Sequence, residues 1–547
     1  MKKIILLIAI LFAGFTGLWH YNAARAKQFV ASKFDEATAY FDKEGYILKN
    51  EGIDVTGYPL DYQAVIKSPS LIKKEQAKEK SDPVDSILVD GKLSLISNLF
   101  GTEFSVENNG KTRIIVKNGD STDEFILIGD SSSSFSVEGV PFIEAIKNPF
   151  KAYFHEIESN DKQFLIGKNG SFSGKNLKLF NVKNPSVTLL EMDKADIEYA
   201  LKDTDGELSF IKFKGDVKGL NIDTLIVGSD AYNPGNTRSL KEISMMLSMP
   251  KPGKTDISFD MELDAPFNQF EDLGKIASLN DLAPFNLDLK NFDMKNDFGS
   301  YFHKGLFSFK DVKEAKQFQL NLLGTQETSK EQFAAFRVQW EEFLNNLPIC
   351  TKNVEENSTD VCPLVKGLVP QLDTFGKIVF DIDALFDVRN PVDLSDNSTL
   401  TINRLNFYSA LYGMKSNSLF NFKQPEMVVS TSKIELLNYQ AFFQDLFNYL
   451  KKAEKILPHL MKEGESFPNI QEKHVKLITD YLKAISDEPN KDLKDLTITI
   501  KVDGLNEIKI GTLPSNDFIQ KTMIFNSELM KDFTKQKVEN PKPVIKQ

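Results

Sequence analysis

The feature that most constrains this chain lies at its start. Lys2 and Lys3 precede an uncharged, largely apolar run from Ile4 to Trp19. As a helix, those 16 residues span about 24 Å, slightly short of a ~30 Å hydrocarbon core. Including His20 and Tyr21 lengthens the span to about 27 Å and places Trp19 and Tyr21 as interfacial aromatics. No Pro or Gly interrupts the chain between Trp19 and Glu44, so the helix can continue past a membrane. Residues 1–21 read as an uncleaved transmembrane anchor. The rival reading is a signal peptide cleaved at Ala24-Arg25-Ala26. There is no Cys near the run, which excludes a lipoprotein.

The flanking charges do not orient this segment. The amino terminus, Lys2 and Lys3 on one side balance Arg25, Lys27 and Lys33 on the other. The cysteines lean toward an outside body. Cys350 and Cys362 are the two in the chain, separated by a polar stretch. A pair closing so short a loop reads as a disulfide contributing about 3 kcal/mol, and disulfides belong to oxidising compartments. Two unrelated buried thiols are the alternative. A structural zinc site would need two more ligands, and no His lies nearby.

At 547 residues the chain is too long for one core, and about three or four domains are expected. Apolar residues make up 41% and charged residues 26%, a globular balance. The net charge is -11 and no segment is strongly basic, so nucleic acid is not an expected partner. Phe occurs 43 times, and six of the 66 basic residues are Arg, which leaves 60 as Lys. That bias is what an AT-rich coding genome produces, so abundant Phe by itself argues for no special pocket.

Periodicity divides the remainder. Ala23, Ala26, Val30, Phe34, Ala37 and Phe41 form one apolar stripe, giving an amphipathic stalk helix over 22–45 that ends at Gly45. Residues 46–230 form a β-rich domain. It opens with a strand pair turning around Asn50 to Gly52, and hairpins follow at Asn118-Gly119-Asp120 and Asp203-Thr204-Asp205-Gly206. Residues 231–375 are mixed α/β, with helices expected over 239–249 and 270–279. Thr328-Ser329-Lys330-Glu331-Gln332 is a capping-box start, followed by Phe333, Phe336, Trp340, Phe343 and Leu347 on one face. Residues 376–534 form a C-terminal α+β domain with helices over 439–462, 469–486 and 515–533 and strands at 496–502 and 508–510. Residues 535–547 are Lys/Pro-rich and are expected to be disordered. The class is α+β: a transmembrane helix, then a body of long, mostly antiparallel sheet with helices packed on it.

No catalytic signature survives inspection. Gly167-Lys168 and Gly174-Lys175 invite a phosphate-loop reading, but Asn169 and Asn176 stand where Ser or Thr is needed, so 167–176 reads as a hairpin loop. Asp203 to Gly206 fails as a calcium loop, because Leu201 and Lys212 occupy positions that need acids. Asp381, Asp383 and Asp387 read as a solvated strand face rather than metal ligands. The five His (20, 155, 303, 459, 474) are scattered. No cofactor, metal site or enzymatic activity is expected. Phe442, Phe443, Leu446, Phe447 and Leu450 make a stripe wider than one packed face needs, and form a candidate groove for an acyl chain or a partner helix.

Gly45, Ile53, Val55 and the step Gly57-Tyr58-Pro59 after an anchor and helix, with Asp503-Gly504 and Gly511 to Pro514 near the end, carry a family resemblance. The chain resembles the bacterial envelope family known as domain of unknown function 2125. More loosely it is similar to YdgA-like and AsmA-like anchored periplasmic proteins. Leu60 departs from the aromatic usual after the Pro, and the middle of the chain carries no family motif. The resemblance implies an address and an architecture: a single-pass protein of the bacterial inner membrane, held through residues 4–21, with its large domain in the periplasm. Two functions of different kinds are then expected. One is binding of lipid or another amphipathic envelope component. The other is a non-enzymatic scaffold for envelope proteins.

Overall fold

A computed structural model describes residues 2–58, 61–74, 84–98, 103–118, 121–136, 169–182, 184–204, 207–222, 253–265, 282–312, 315–345, 376–389, 398–424, 427–454, 471–503 and 507–535. The chain divides into two units: Met1–Leu247 with Gly253–Met261, and Ser248–Pro252 with Glu262–Gln547.

In the first unit, α1 (Lys2–Lys43) ends where expected. Gly45 has φ 85°, and its N–H donates to the Asp42 carbonyl at 3.2 Å. The strands follow in chain order: β1 (Tyr46–Lys49), β2 (Ile53–Thr56), β3 (Asp61–Lys67), β4 (Ser70–Lys73), β5 (Val84–Asn98), β6 (Glu103–Asn118), β7 (Ser121–Ser136), β8 (Asn169–Asn181), β9 (Asn184–Thr204), β10 (Glu207–Ile222) and β11 (Thr255–Asp264). From β5 to β10 each strand pairs antiparallel with the next, and the expected hairpins close at Asn118↔Ser121 and Thr204↔Glu207.

Two expectations fail in this sheet. β1 and β2 do not pair with each other: β1 pairs with β4 and β2 with β3. Glu51 N–H donates to the Lys67 carbonyl and Lys67 N–H to the Gly52 carbonyl, so 46–56 runs straight alongside 61–73. The reversal falls later, where Asp61 N–H bonds the Gly57 carbonyl. The second correction concerns 167–176, expected as a loop: from Asn169 onward it is strand β8. Gly170 is there to make room, since an added Cβ would clash with the Tyr199 ring of the paired strand.

Alternation gives this sheet one apolar face. Tyr62, Ala64, Ile66, Phe104 and Phe135 pack there against Trp19, Ala23, Ala26 and Val30 of α1. The larger of these, such as Val30, Ile66, Phe104 and Phe135, each contribute about 1.5–3 kcal/mol when fully buried. Farther along, Leu177, Met192, Ala195 and Val217 form a second cluster with Ile257 of β11. The opposite face is polar, with Arg113 bonded to Glu124 and Ser173 Oγ donating to Asp196 at 3.0 Å.

Trp19 therefore differs from its expected place at a membrane interface. It is 5% exposed, and Tyr21, two residues on, is 60% exposed. The sheet covers the indole because its large apolar area has Tyr58 and Tyr62 to pack on. Among the described residues no helix is long and apolar enough to cross a membrane. The side chains of 4–15 lie outside that description.

The second unit contains β12 (Phe285–Asn296), β13 (Gly299–Val312), β14 (Ala315–Glu327), α2 (Lys330–Asn345), β15 (Lys377–Val388), β16 (Ser398–Ser409), β17 (Gly413–Gln424), β18 (Met427–Leu437), α3 (Tyr439–Glu454), α4 (Glu472–Ala484), β19 (Leu496–Asp503), β20 (Glu507–Ile510), β21 (Leu513–Pro514) and α5 (Ser515–Lys535). From β12 to β21 each strand pairs antiparallel with the next. The capping box at α2 forms as expected: Gln332 N–H donates to Ser329 Oγ at 3.1 Å, and Ser329 N–H to Gln332 Oε1 at 2.9 Å. Tyr439, Ile485, Leu496, Ile498 and Ile510 make the core where the C-terminal helices meet the sheet. The α+β class with a long antiparallel sheet stands. The helices expected over 239–249 and 270–279, the Cys350 and Cys362 pair and the tail 536–547 lie outside the described residues.

Candidate functional site

The strand register of the second unit sorts its side chains by chemistry. On one face, Phe309, Phe318, Phe386, Leu400 and Phe420 lie in a row across β13 to β17. The rings of Phe309 and Phe318 sit 4.6 Å apart, and those of Phe318 and Phe386 6.4 Å apart. A parallel row holds His303, Gly324, Phe380, Phe407 and Met414. Between these rows lie two more: Phe307, Leu320, Ala384, Ile402 and Ser418, then Gly305, Leu322, Ile382, Leu405 and Ser416. A bulge at Asn403-Arg404 keeps both Ile402 and Leu405 on this face. Phe407 is 54% exposed and Phe307 40%. Exposed apolar patches are a common feature of interaction surfaces.

The other face of the same strands is ionic. Arg404 lies 3.4 Å from Asp381 and 3.6 Å from Asp383, and Gln317 donates to Asp387 at 2.7 Å. The three aspartates are thus occupied by neighbours on a polar face. Among the described residues no group of three His, Cys, Asp or Glu could hold a metal.

Toward β18 the apolar face changes character. Ser418, Ser430 and Ser432 sit on it, each at most 9% exposed. Ser398, at the start of β16, is fully buried on the same face, and its Oγ has no hydrogen-bond partner. Buried hydroxyls are normally paired.

The stripe expected as a groove on α3 divides. Phe443 packs against the C-terminal core, whereas Phe442 and Leu446 are 41% and 39% exposed. Phe447 and Leu450 are half-buried, with the Lys451 ammonium over the Phe447 ring. Of the family-like residues, Gly57 has φ 102°, and an added Cβ would strike the Asp61 carbonyl at 2.8 Å. Tyr58 packs edge-on against Trp19, and its hydroxyl lies 2.7 Å from Thr16 Oγ1. Gly511 has φ 57°, and an added Cβ would strike the Ile485 carbonyl; Asp503 pairs with Glu507, and Pro514 ends β21. These positions build turns and helix contacts at the two ends of the chain. Pro59 and Gly504 lie outside the described residues. Of the histidines, His474 is buried and accepts the Gln471 N–H in the α4 capping box; His155 and His459 are outside the described residues.

The first unit holds a cavity of about 460 Å³, where Glu103, Glu198, Lys212 and Lys214 mix with Ser134, Ser171 and Tyr199. Sequence reading did not single out the apolar face of β12 to β17, although period-two alternation such as Phe318-Leu320-Leu322 was a signal that could have found it.

No protein-family model, curated protein or solved structure matches this chain.

Proposed function

We propose that this chain is a membrane-anchored protein of the bacterial envelope that holds lipid, or another amphipath, against the apolar sheet face of its second unit. The observation that carries this reading is the field of Phe, Leu and Ile across β12 to β17, open at Phe307 and Phe407. The apolar run at the start of α1 supplies the anchor. Thr16 bonds Tyr58 and Trp19 is buried, so the helix already meets the sheet from Thr16 onward. Placement of the body in the periplasm rests on the family resemblance. A photoreactive amino acid replacing Phe407, activated in intact cells, tests the function. The expected adduct is lipid. Absence of any lipid adduct at position 407 and, in a parallel experiment, at 307 would sink it.

A second reading, a scaffold that recruits another envelope protein, is favoured by a different surface. Phe442, Leu446 and Tyr449 form an exposed stripe on α3, and Ile519, Met523 and Met530 one on α5. Proximity labelling should then find neighbours that Leu446→Glu and Met523→Glu abolish.

A further inference from the structure

We infer that the first unit stands directly on the lipid bilayer, with the turn between β2 and β3 and the Thr16 to Tyr21 segment of α1 at the bilayer interface. The inference rests on the anchor in the reading above and deepens it by naming the protein surface that meets lipid.

α1 lies along the sheet instead of lifting it away as a stalk. Near its start, Thr16 Oγ1 is 2.7 Å from the hydroxyl of Tyr58 in the β2–β3 turn. Midway, Lys27 pairs with Asp54 of β2 at 3.0 Å. At its end, Lys74 Nζ donates to the Asp42 carbonyl at 3.1 Å. From Thr16 to Asp42 the helix rises about 39 Å, and it is tied to the sheet at both ends of that length. Residues 22–45 were expected as a stalk and are a packed layer of the body.

That packing leaves little helix for the membrane. The uncharged run before Thr16 is Ile4 to Phe15, 12 residues. They rise about 18 Å, against a ~30 Å hydrocarbon core. Crossing takes about 20 residues, which from Ile4 reaches Ala23. Trp19 and Ala23 are already buried against the sheet. No spare turn separates anchor from body, so a helix that enters the bilayer brings the β2–β3 end of the sheet down with it.

The side chains at that level suit an interface. Between Lys3 and Arg25 there is no charged residue. Tyr21 is 60% exposed and Tyr58 37%, and the exposed His20 ring stacks on Tyr58 with centroids 6.3 Å apart. One turn beyond Tyr21, the Arg25 guanidinium lies 5.7 Å from its ring centroid, where a cation can reach lipid phosphate. Tyrosines with an apolar ring and a wet hydroxyl gather at headgroup depth. Trp19 does not need that place, because its indole N–H donates to the Asp61 carbonyl.

The test uses the full-length protein in vesicles of phosphatidylcholine and phosphatidylglycerol. The photoreactive residue p-benzoylphenylalanine replaces Leu11, Tyr21, Tyr58 or Tyr40, one at a time. Tyr40 is the control: it is 61% exposed on the same helix, about 28 Å beyond Tyr21. Lipid adducts are expected at 11, 21 and 58 and not at 40. Adducts at 11 without any at 21 or 58 overturn the inference and leave the anchor standing. Adducts at 40 as well mean that the helix lies flat on the membrane, which also overturns it. No adduct at 11 removes the anchor itself. A second measurement leaves the interface unchanged, and so decides even if the variant at 58 fails to fold. Trp340→Phe makes Trp19 the sole tryptophan of the chain. Its fluorescence should be quenched more by lipids brominated near the headgroup end of the acyl chain than by lipids brominated near the methyl end. Quenching by neither sinks the inference.

Discussion

The indole of Trp19 stacks on the ring of Tyr62, with centroids 5.6 Å apart and 6° between the planes. One belongs to α1 and the other to β3. Trp19 Nε1 also donates to the Asp61 carbonyl at 3.3 Å. Burial pushes the Tyr62 phenol above its ordinary range, and the hydrogen bond with Asn22 pulls it partly back. Helix and sheet are thus joined by a dry aromatic contact. Trp19→Ala should cost about 3–5 kcal/mol, the usual range for emptying an aromatic core site. Urea unfolding of the first unit, followed by circular dichroism, measures it. A loss below about 1 kcal/mol would mean that α1 does not seal this core.

Asp54 gives the same junction a pH dependence. Its carboxylate lies 2.6 Å from Lys67 and 3.0 Å from Lys27. The hydrogen bond from Lys67, then that from Lys27, holds its pKa down from an ordinary 3.8 to about 2. A folded-state pKa below the unfolded value adds stability above that unfolded value, and the addition is lost as pH falls from about 4 to about 2. Asp54→Asn should flatten the acid limb of a stability profile in that window. Because the group is exposed, the difference should shrink in about 1 M salt. An acid limb identical in the variant would refute the assignment.

Gly170 and Tyr199 form a cross-strand pair in which the glycine leaves space for the ring. Gly170→Ala should destabilise by about 1–3 kcal/mol through overpacking. The same change in a Tyr199→Leu background should cost much less, since the atoms it meets are gone. A double-mutant cycle reads the coupling directly. Additive costs would show that the ring does not lie over Gly170.

Ser308, on the polar side of β13, is 1% exposed, and its Oγ has no partner. Removing an unsatisfied buried hydroxyl relieves its desolvation, so Ser308→Ala should leave stability unchanged or raise it by up to about 1 kcal/mol. Thermal unfolding provides the check, and a lowered midpoint would reveal a hydrogen bond there.

Local signals were legible where they are complete within a few residues. Ser329 with Gln332, Gly45 after α1, and the turns at 118–121 and 204–207 all carry their own chemistry in adjacent side chains. The period-two pattern of β11, β15 and β19 likewise announced which residues share a face. The same logic misplaced Gly170, because a glycine that clears room for a distant ring looks, in one dimension, like a glycine that turns the chain.

The sequence by itself determined the class of elements, their caps and the separation of apolar from polar faces, since these depend on backbone period and on neighbours within a turn. Tertiary structure alone decided the partners. It set β1 beside β4 rather than β2, buried Trp19 against Tyr62 rather than leaving it for an interface, and aligned Phe309, Phe318 and Phe386 into one row across three strands. Alternation states which side of a strand is apolar but not which strand lies next to it. That choice belongs to whichever register buries the most apolar surface while leaving every ladder hydrogen bond made.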